Sequence, residues 1–255
     1  MPSADRPLPT DISPTRAEMG RRAAAHVVGL LRETLAAQTR ARLVFACAPS
    51  QDQFLAELRQ QSAGQVDWSR VDAFHMDEYI GLAADHPASF RTYLRAHFMD
   101  HLQVGSWSQI RGEATDPSAE ARRYAALLAA APIDLICLGI GENDHIAFND
   151  PPIADFDDPV LVKVVELDDA CRRQQVNDGC FPSLDDVPTH ALSLTIPVFR
   201  RAKQLSVVVP GPRKAAAVAA TLTGPISTAC PASILRTHPA ARLFLDAASA
   251  ATSAA

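Results

Sequence analysis

Residues 132–151 read PIDLICLGIGENDHIAFNDP. The apolar core of this stretch has the length of a buried strand, and it leaves through Gly139 and Gly141 into a polar cluster of Glu142, Asn143, Asp144, His145, Asn149 and Asp150. Ahead of it, PSAEARRYAALLAAA (117–131) carries apolar residues at helical spacing, so the unit is helix, strand, polar loop. Open parallel α/β sheets take their ligands outside the carboxyl ends of the strands. A polar loop in that place marks a site, provided the rest of the chain repeats the unit.

Working outward, it does. ARLVFACA (41–48) reads as a buried strand and runs into PSQDQFLAELRQQ (49–61), where Ser50 is placed to cap a helix. RVDAFHM (70–76) leads to HPASFRTYLRAHFMDHL (86–102) in the same way. An amphipathic helix from about Ser13 to Ala37 opens the series, with Met19, Ala23, Val27, Leu30, Leu31 and Leu35 along one face. Past Asp150, LVKVVEL (161–167), THALSLTI (189–196), QLSVVV (204–209) and ARLFLDA (241–247) read as strands, and GPRKAAAVAATLTG (211–224) as a helix closed by Gly224. Residues 151–160 and 177–188 are rich in Pro, Asp and Gly and read as loops, the former as a rim or lid of the site. Strands alternating with helices of this length call for a parallel sheet covered on both faces. The expected fold is therefore α/β: a single domain over 13–250 with an open, mostly parallel sheet, a flexible segment at 1–12 and a frayed alanine-rich tail.

Composition narrows the function classes. A chain of 255 residues with 47% hydrophobic and 21% charged residues can bury one sizeable core. A net charge of −5 creates no global field for nucleic acid or an anionic membrane, so any phosphate must be held locally. No apolar run approaches the roughly 18 residues of a membrane helix, and the first twelve residues lack a signal-peptide layout; the expectation is a cytoplasmic protein. Cys47, Cys137, Cys171, Cys180 and Cys230 are odd in number and scattered, with no CxxC pair and no histidine at metal-ligand spacing. Neither a disulfide framework nor a metal site is expected, and the thiols read as small hydrophobes.

Polar residues follow apolar strands at two further places. In FHMDEY (74–79), Asp77 and Glu78 come directly after a strand; in VVVPGPRKAAA (207–217), a turn at Gly211 leads to a helix start carrying Arg213 and Lys214, a natural phosphate site. Taken alone, Asp77 reads first as a helix N-cap and His145 as a structural histidine, while the basic pair reads equally as a solvated first turn. The Gly139–Gly141 pair lacks the third glycine of a dinucleotide fingerprint, so a nicotinamide site is rejected. Together, a carboxylate, an imidazole and a cationic pocket at three strand ends form the set needed for proton transfer on a sugar phosphate.

Two stretches carry a family resemblance. MDEYIGLAADHPASFRTYLRAHF (76–98) resembles the MDEY(V/I)GL…HPxS(F/Y) stretch of glucosamine-6-phosphate deaminase/isomerases, and GIGENDHIAFNDP (139–151) is similar to their G(V/I)Gx(D/N)GHIAFN(E/D)P stretch. The resemblance runs from the first helix to the last strand and implies the fold of the 6-phosphogluconolactonase-like superfamily. It implies a cofactor-free conversion of glucosamine 6-phosphate and water to fructose 6-phosphate and ammonia. Asp77 would move the proton from C2 to C1, His145 would open the pyranose ring, and Asp150 would support the histidine in place of a glutamate. Lys214 and Arg172, or its neighbour Arg173, would hold the phosphate with Ser50, and Glu78 would join the substrate set. Family members range from monomers to allosteric hexamers, so a homo-oligomer stays open.

Asn143 stands where the family often has aspartate, and Asp144 where it usually has glycine. Asp144 either supplies the missing carboxylate or obstructs the pocket. A 6-phosphogluconolactonase-like hydrolase is disfavoured by HIAFNDP and DEYIGL. The same reaction on galactosamine 6-phosphate, or an impaired sugar-phosphate sensor, are the remaining alternatives.

Overall fold

The structure is a computed structural model that describes residues 7–251. Its strands are β1 (Thr10–Ser13), β2 (Ala41–Phe45), β3 (Val71–His75), β4 (Asp77–Tyr79), β5 (Ser106–Ser108), β6 (Leu135–Leu138), β7 (Val162–Glu166), β8 (His190–Leu194), β9 (Gln204–Val209) and β10 (Ala241–Asp246). Its helices are α1 (Arg16–Ala37), α2 (Asp52–Ser62), α3 (Phe90–His97), α4 (Pro117–Ala129), α5 (Asp169–Asn177), α6 (Ile196–Arg201) and α7 (Ala215–Thr223). Local chemistry sets several starts: Thr15, Ser89, Asp116 and Asp168 each accept a hydrogen bond from a backbone N–H in the first turn of the helix that follows.

Seven strands form one wholly parallel sheet in the order β1-β10-β9-β6-β2-β3-β5. Successive strand residues face opposite ways, and the sheet divides its apolar residues between two cores. Leu43, Phe45 and Val208 pack with α1, α2 and α3; Val44, Val207 and Val209 pack with α4, α6 and α7. The chain steps from β2 to β3 on one side and from β6 to β9 and β10 on the other. The order therefore reverses between β2 and β6, which opens a crevice at their carboxyl ends.

Two of the expected strands leave this sheet. LVKVVEL and THALSLTI form β7 and β8, which with β4 make a separate antiparallel sheet in the order β4-β8-β7. Met76 joins the sheets: its N–H donates to Phe45 O in the parallel sheet and its carbonyl accepts from Leu194 N in the small one. Asp77 is thus a strand residue paired with Ser193, and the N-cap reading does not apply. Ser50 lies inside a 3-10 turn (Pro49–Gln51) and does not cap α2, whose first turn has no side-chain cap.

The amino-terminal end differs from expectation. Thr10–Ser13 pairs in parallel with β10 and Leu8 is buried, so order begins well before Ser13; residues 1–6 lie outside the described residues. After β10 the chain turns at Ala247–Ser249, where Ser249 N–H donates to the Asp246 carboxylate, and residues 252–255 of the alanine-rich tail lie outside the described residues. Helices α5 and α6 and the short edge strand β5 were not foreseen. Among the described residues no helix is long and apolar enough to cross a membrane.

Candidate active site

The crevice carries the chemistry. Ser50 after β2, Asp77 after β3, the Gly139–His145 loop after β6 and Lys214 after β9 converge on one cleft, with Gln174 and Gln175 of α5 completing its wall. A wider groove of about 650 Å³ lies at the amino ends of the strands, between α1 and the turn before β3; Arg32, Glu33, Gln65 and Arg70 line it. It offers neither an imidazole nor a thiol, and the narrower cleft is where acid–base groups meet.

Asp77 is buried and its carboxyl has no hydrogen bond from protein among the described residues. Burial, then the neighbouring Glu78 charge, push it well above the ordinary carboxylate range. Glu78 points the other way, as alternation along β4 requires. Its carboxylate accepts hydrogen bonds from the N–H groups of Tyr79, Phe90 and Arg91 and from Arg91 Nε at 3.0–3.1 Å, and Arg91 is itself buried. Glu78 therefore anchors the start of α3 and does not line the cleft, where its expected binding role would place it.

His145 is held by its neighbours. Its Nδ1 lies 2.6 Å from Asn143 Oδ1 and 3.0 Å from Asp150 Oδ1, and Asn143 Nδ2 donates to the same Asp150 oxygen at 3.0 Å. With Nδ1 turned to these oxygens, Nε2 is left for the cleft. Burial raises the Asp150 carboxyl, but the hydrogen bonds from His145 and Asn143 and the imidazole charge outweigh it and keep the group below the usual range. The shorter aspartate reaches the imidazole at the place where the resemblance expects a supporting glutamate. Gly141 has no room for a side chain, because an added Cβ would lie 2.3–2.4 Å from atoms of the His145 ring.

The rest of the loop is stitched to β8. Phe148 N–H donates to Ser193 Oγ at 3.0 Å, and Asn149 Nδ2 donates to the carbonyls of Ile146 and Leu194. Ser193 is also the register partner of Asp77, so one residue of the small sheet holds both the carboxyl and the histidine loop in place.

Asp144 takes neither of its expected roles. Its backbone is left-handed (φ 70°), which explains why glycine is usual there and why aspartate, which tolerates that region, can stand in. Its side chain turns to the Cys230 thiol and its carbonyl accepts from Ala232 N–H. It neither lines the cleft nor supplies the carboxylate; Asp150 does that.

The cationic set is smaller than the sequence suggested. Lys214 is buried at the cleft and has no ion pair among the described residues; burial pulls its ammonium down to about 8, against the pull of Asp178 and Glu142. Arg213 faces away and bonds Asp178 at 2.6 Å and Glu142 at 2.9 Å. Arg172 donates to the carbonyls of Leu184 and Val187 and so ties down the 178–188 loop, while Arg173 is exposed beside Asp169. Neither lines the cleft, so the expected phosphate contact from this pair is corrected.

Three amides were missed. Gln51 donates to Val208 O and leaves its buried Oε1 without a partner, Gln174 Oε1 accepts from Glu142 N–H at 2.7 Å, and Gln175 is buried in the wall. The available signal was Asp168, a helix cap directly ahead of CRRQQ, which would have placed both glutamines on a helix entering the crevice.

A buried carboxyl, an oriented imidazole and an ammonium around one crevice define an α/β enzyme built for proton transfer. The family model described as glucosamine-6-phosphate isomerases/6-phosphogluconolactonase matches residues 14–244, and the chain belongs to that family. It is 36% identical over 217 residues to the glucosamine-6-phosphate deaminases of Bacillus thuringiensis (strain Al Hakam) and Bacillus cereus (strain AH820), covering 85% of this chain and 80% of each relative. Among solved structures it is similar to a monomeric glucosamine-6-phosphate deaminase, with TM-score 0.88, 29% identity and coverage of 96% and 100% of the two chains. A 6-phosphogluconolactonase from Trypanosoma brucei shares the fold at TM-score 0.75 and 19% identity, over 96% and 98% of the chains.

Proposed function

We propose that this protein is a glucosamine-6-phosphate deaminase, converting the amino-sugar phosphate and water to fructose 6-phosphate and ammonia without a cofactor. The observation that carries the reading is the pairing of Asp77, raised by burial, with His145, oriented by Asp150, across one cleft. His145 Nε2 moves a proton between the anomeric hydroxyl and the ring oxygen and opens the pyranose. Asp77 then takes the C2 proton, which its raised proton affinity suits it to hold, and returns it to C1. Water replaces the amine at C2 and ammonia leaves.

Lys214 and the turn at Ser50 hold the phosphate, with the Pro49–Gln51 backbone and the Gln174–Gln175 wall at its side. The similar solved deaminase is monomeric, which supports a monomer as the working unit. A place in the cytosolic breakdown of N-acetylglucosamine fits this substrate. The test is direct: purified protein with glucosamine 6-phosphate should release ammonia and fructose 6-phosphate in equal amounts. Binding without turnover would instead identify a sensor, and preference for galactosamine 6-phosphate or for 6-phosphogluconolactone would reassign the substrate.

A further inference from the structure

Cys171 has no part in the scheme above, yet it lies against the machinery. It is fully buried on α5, and its thiol lies within 4.8 Å of the Asp150 carboxylate. Asp168, the residue that caps α5, donates its N–H to Asp150 Oδ2 at 3.4 Å and so draws the helix start to the carboxylate. Ligand atoms of His145, Asp150 and Cys171 consequently all lie within 4.8 Å of one another. Cys171 is remote in the chain from the loop that carries the other two, and the three show no ligand spacing as a sequence.

We propose that His145 Nδ1, the Asp150 carboxylate and Cys171 Sγ form a binding site for a borderline-soft divalent cation, zinc above all, and that its occupation silences the cleft. One nitrogen, one oxygen and one sulfur donor suit zinc, and three protein ligands leave a fourth position for Asn143 Oδ1 or a water from the cleft. Zinc bonds of about 2.0–2.3 Å place tetrahedral donors about 3.3–3.7 Å apart. His145 Nδ1 and Asp150 Oδ1 already stand 3.0 Å apart, so closure asks mainly for an approach of the Cys171 thiol.

The protons balance. Binding breaks the S–H bond and releases that proton to solvent, and the Nδ1 proton of His145 transfers to Nε2; no electrons move. With Nδ1 metallated, Nε2 is fixed as a donor and can no longer take a proton from the anomeric hydroxyl. This silencing step rests on the ring-opening role given to His145, whereas binding itself does not.

Zinc titrated calorimetrically into the full substrate-free chain should bind with one equivalent at this site. Cys171→Ser and Cys171→Ala should each lose about tenfold or more in affinity, with Cys230→Ala unchanged. Cobalt added to the native chain should show a thiolate-to-metal absorption band that Cys171→Ser removes. Absence of that band, unchanged affinity in the Cys171 variants, or loss of binding in Cys230→Ala would each overturn the site. In a parallel deaminase assay, zinc should inhibit the native enzyme at the concentrations that fill the site. Full turnover with the site filled would overturn the silencing and with it the role of His145, while leaving the metal site standing.

Discussion

Asp77 sits on a regular strand, paired with Ser193 and enclosed by the protein interior, whereas His145 sits on an irregular loop between two left-handed residues, Asp144 and Ala147. The carboxyl gets its proton affinity from burial and from the Glu78 charge beside it, with no donor from protein among the described residues. The imidazole gets its orientation from what is present, the Asn143 amide and the Asp150 carboxylate. A strand can bury a side chain but offers little choice of partners; a loop can bring residues 143, 145 and 150 to one point. The two halves of the site should therefore fail in different ways.

The largest effect should come from Asp77→Asn, which removes the base without changing its shape. Turnover should drop by about 10³–10⁴-fold and exchange of the C2 proton with solvent should cease, with substrate still bound; retained exchange would remove Asp77 from the mechanism.

Asp150→Asn should reduce turnover by about 10²-fold by leaving the imidazole without its charged partner. The stability of the two variants separates them more sharply. A carboxyl raised on folding stabilises fully only below the ordinary carboxylate range, and that stability is lost as pH climbs through the folded value. Asp77→Asn should therefore melt higher than the native chain, increasingly so toward alkaline pH. Asp150 is held low, so its contribution is present above the ordinary range and disappears as pH falls through the folded value. Asp150→Asn should melt lower than the native chain near neutrality, with the gap closing in acid. Thermal melts of both variants across pH check the opposite slopes, and parallel slopes would erase the contrast between the two halves.

Lys214 belongs to the buried, partner-poor side of the comparison. Its ammonium, pulled down to about 8, loses its proton in the free enzyme above that pH, so kcat/KM should fall on the alkaline side. Lys214→Met should raise KM, remove that alkaline limb and spare kcat; a limb that survives belongs to another group.

The smallest effect is expected at Asp144. Asp144→Gly removes the left-handed strain of a residue that lines no part of the cleft, and should add about 0.5 kcal/mol of stability with activity within about twofold. A large loss of activity would return Asp144 to the site.

The legible part of this protein is the part encoded by period and punctuation. Apolar runs such as QLSVVV and LVF, buried on both faces, announce a parallel sheet, and Asp77 after RVDAFHM and His145 after LICL lie in the crevice because strand ends are where such sheets hold ligands. That position singled out Asp77, His145 and Lys214 as candidates, and the motifs around the first two added the family.

Tertiary structure decided which neighbouring polar residues reach the cleft, since that depends on side-chain direction and on what packs across from each. Glu78 is one residue from Asp77 and faces the opposite way, and Arg172 is two residues from Gln174 and spends its guanidinium on loop carbonyls. It also decided the separate antiparallel sheet, whose β7 and β8 read in the sequence as strands like those of the main one. And it brought Cys171 beside Asp150 and His145, a meeting of residues 145, 150 and 171 that no local pattern encodes, because it arises from where α5 packs against the loop after β6.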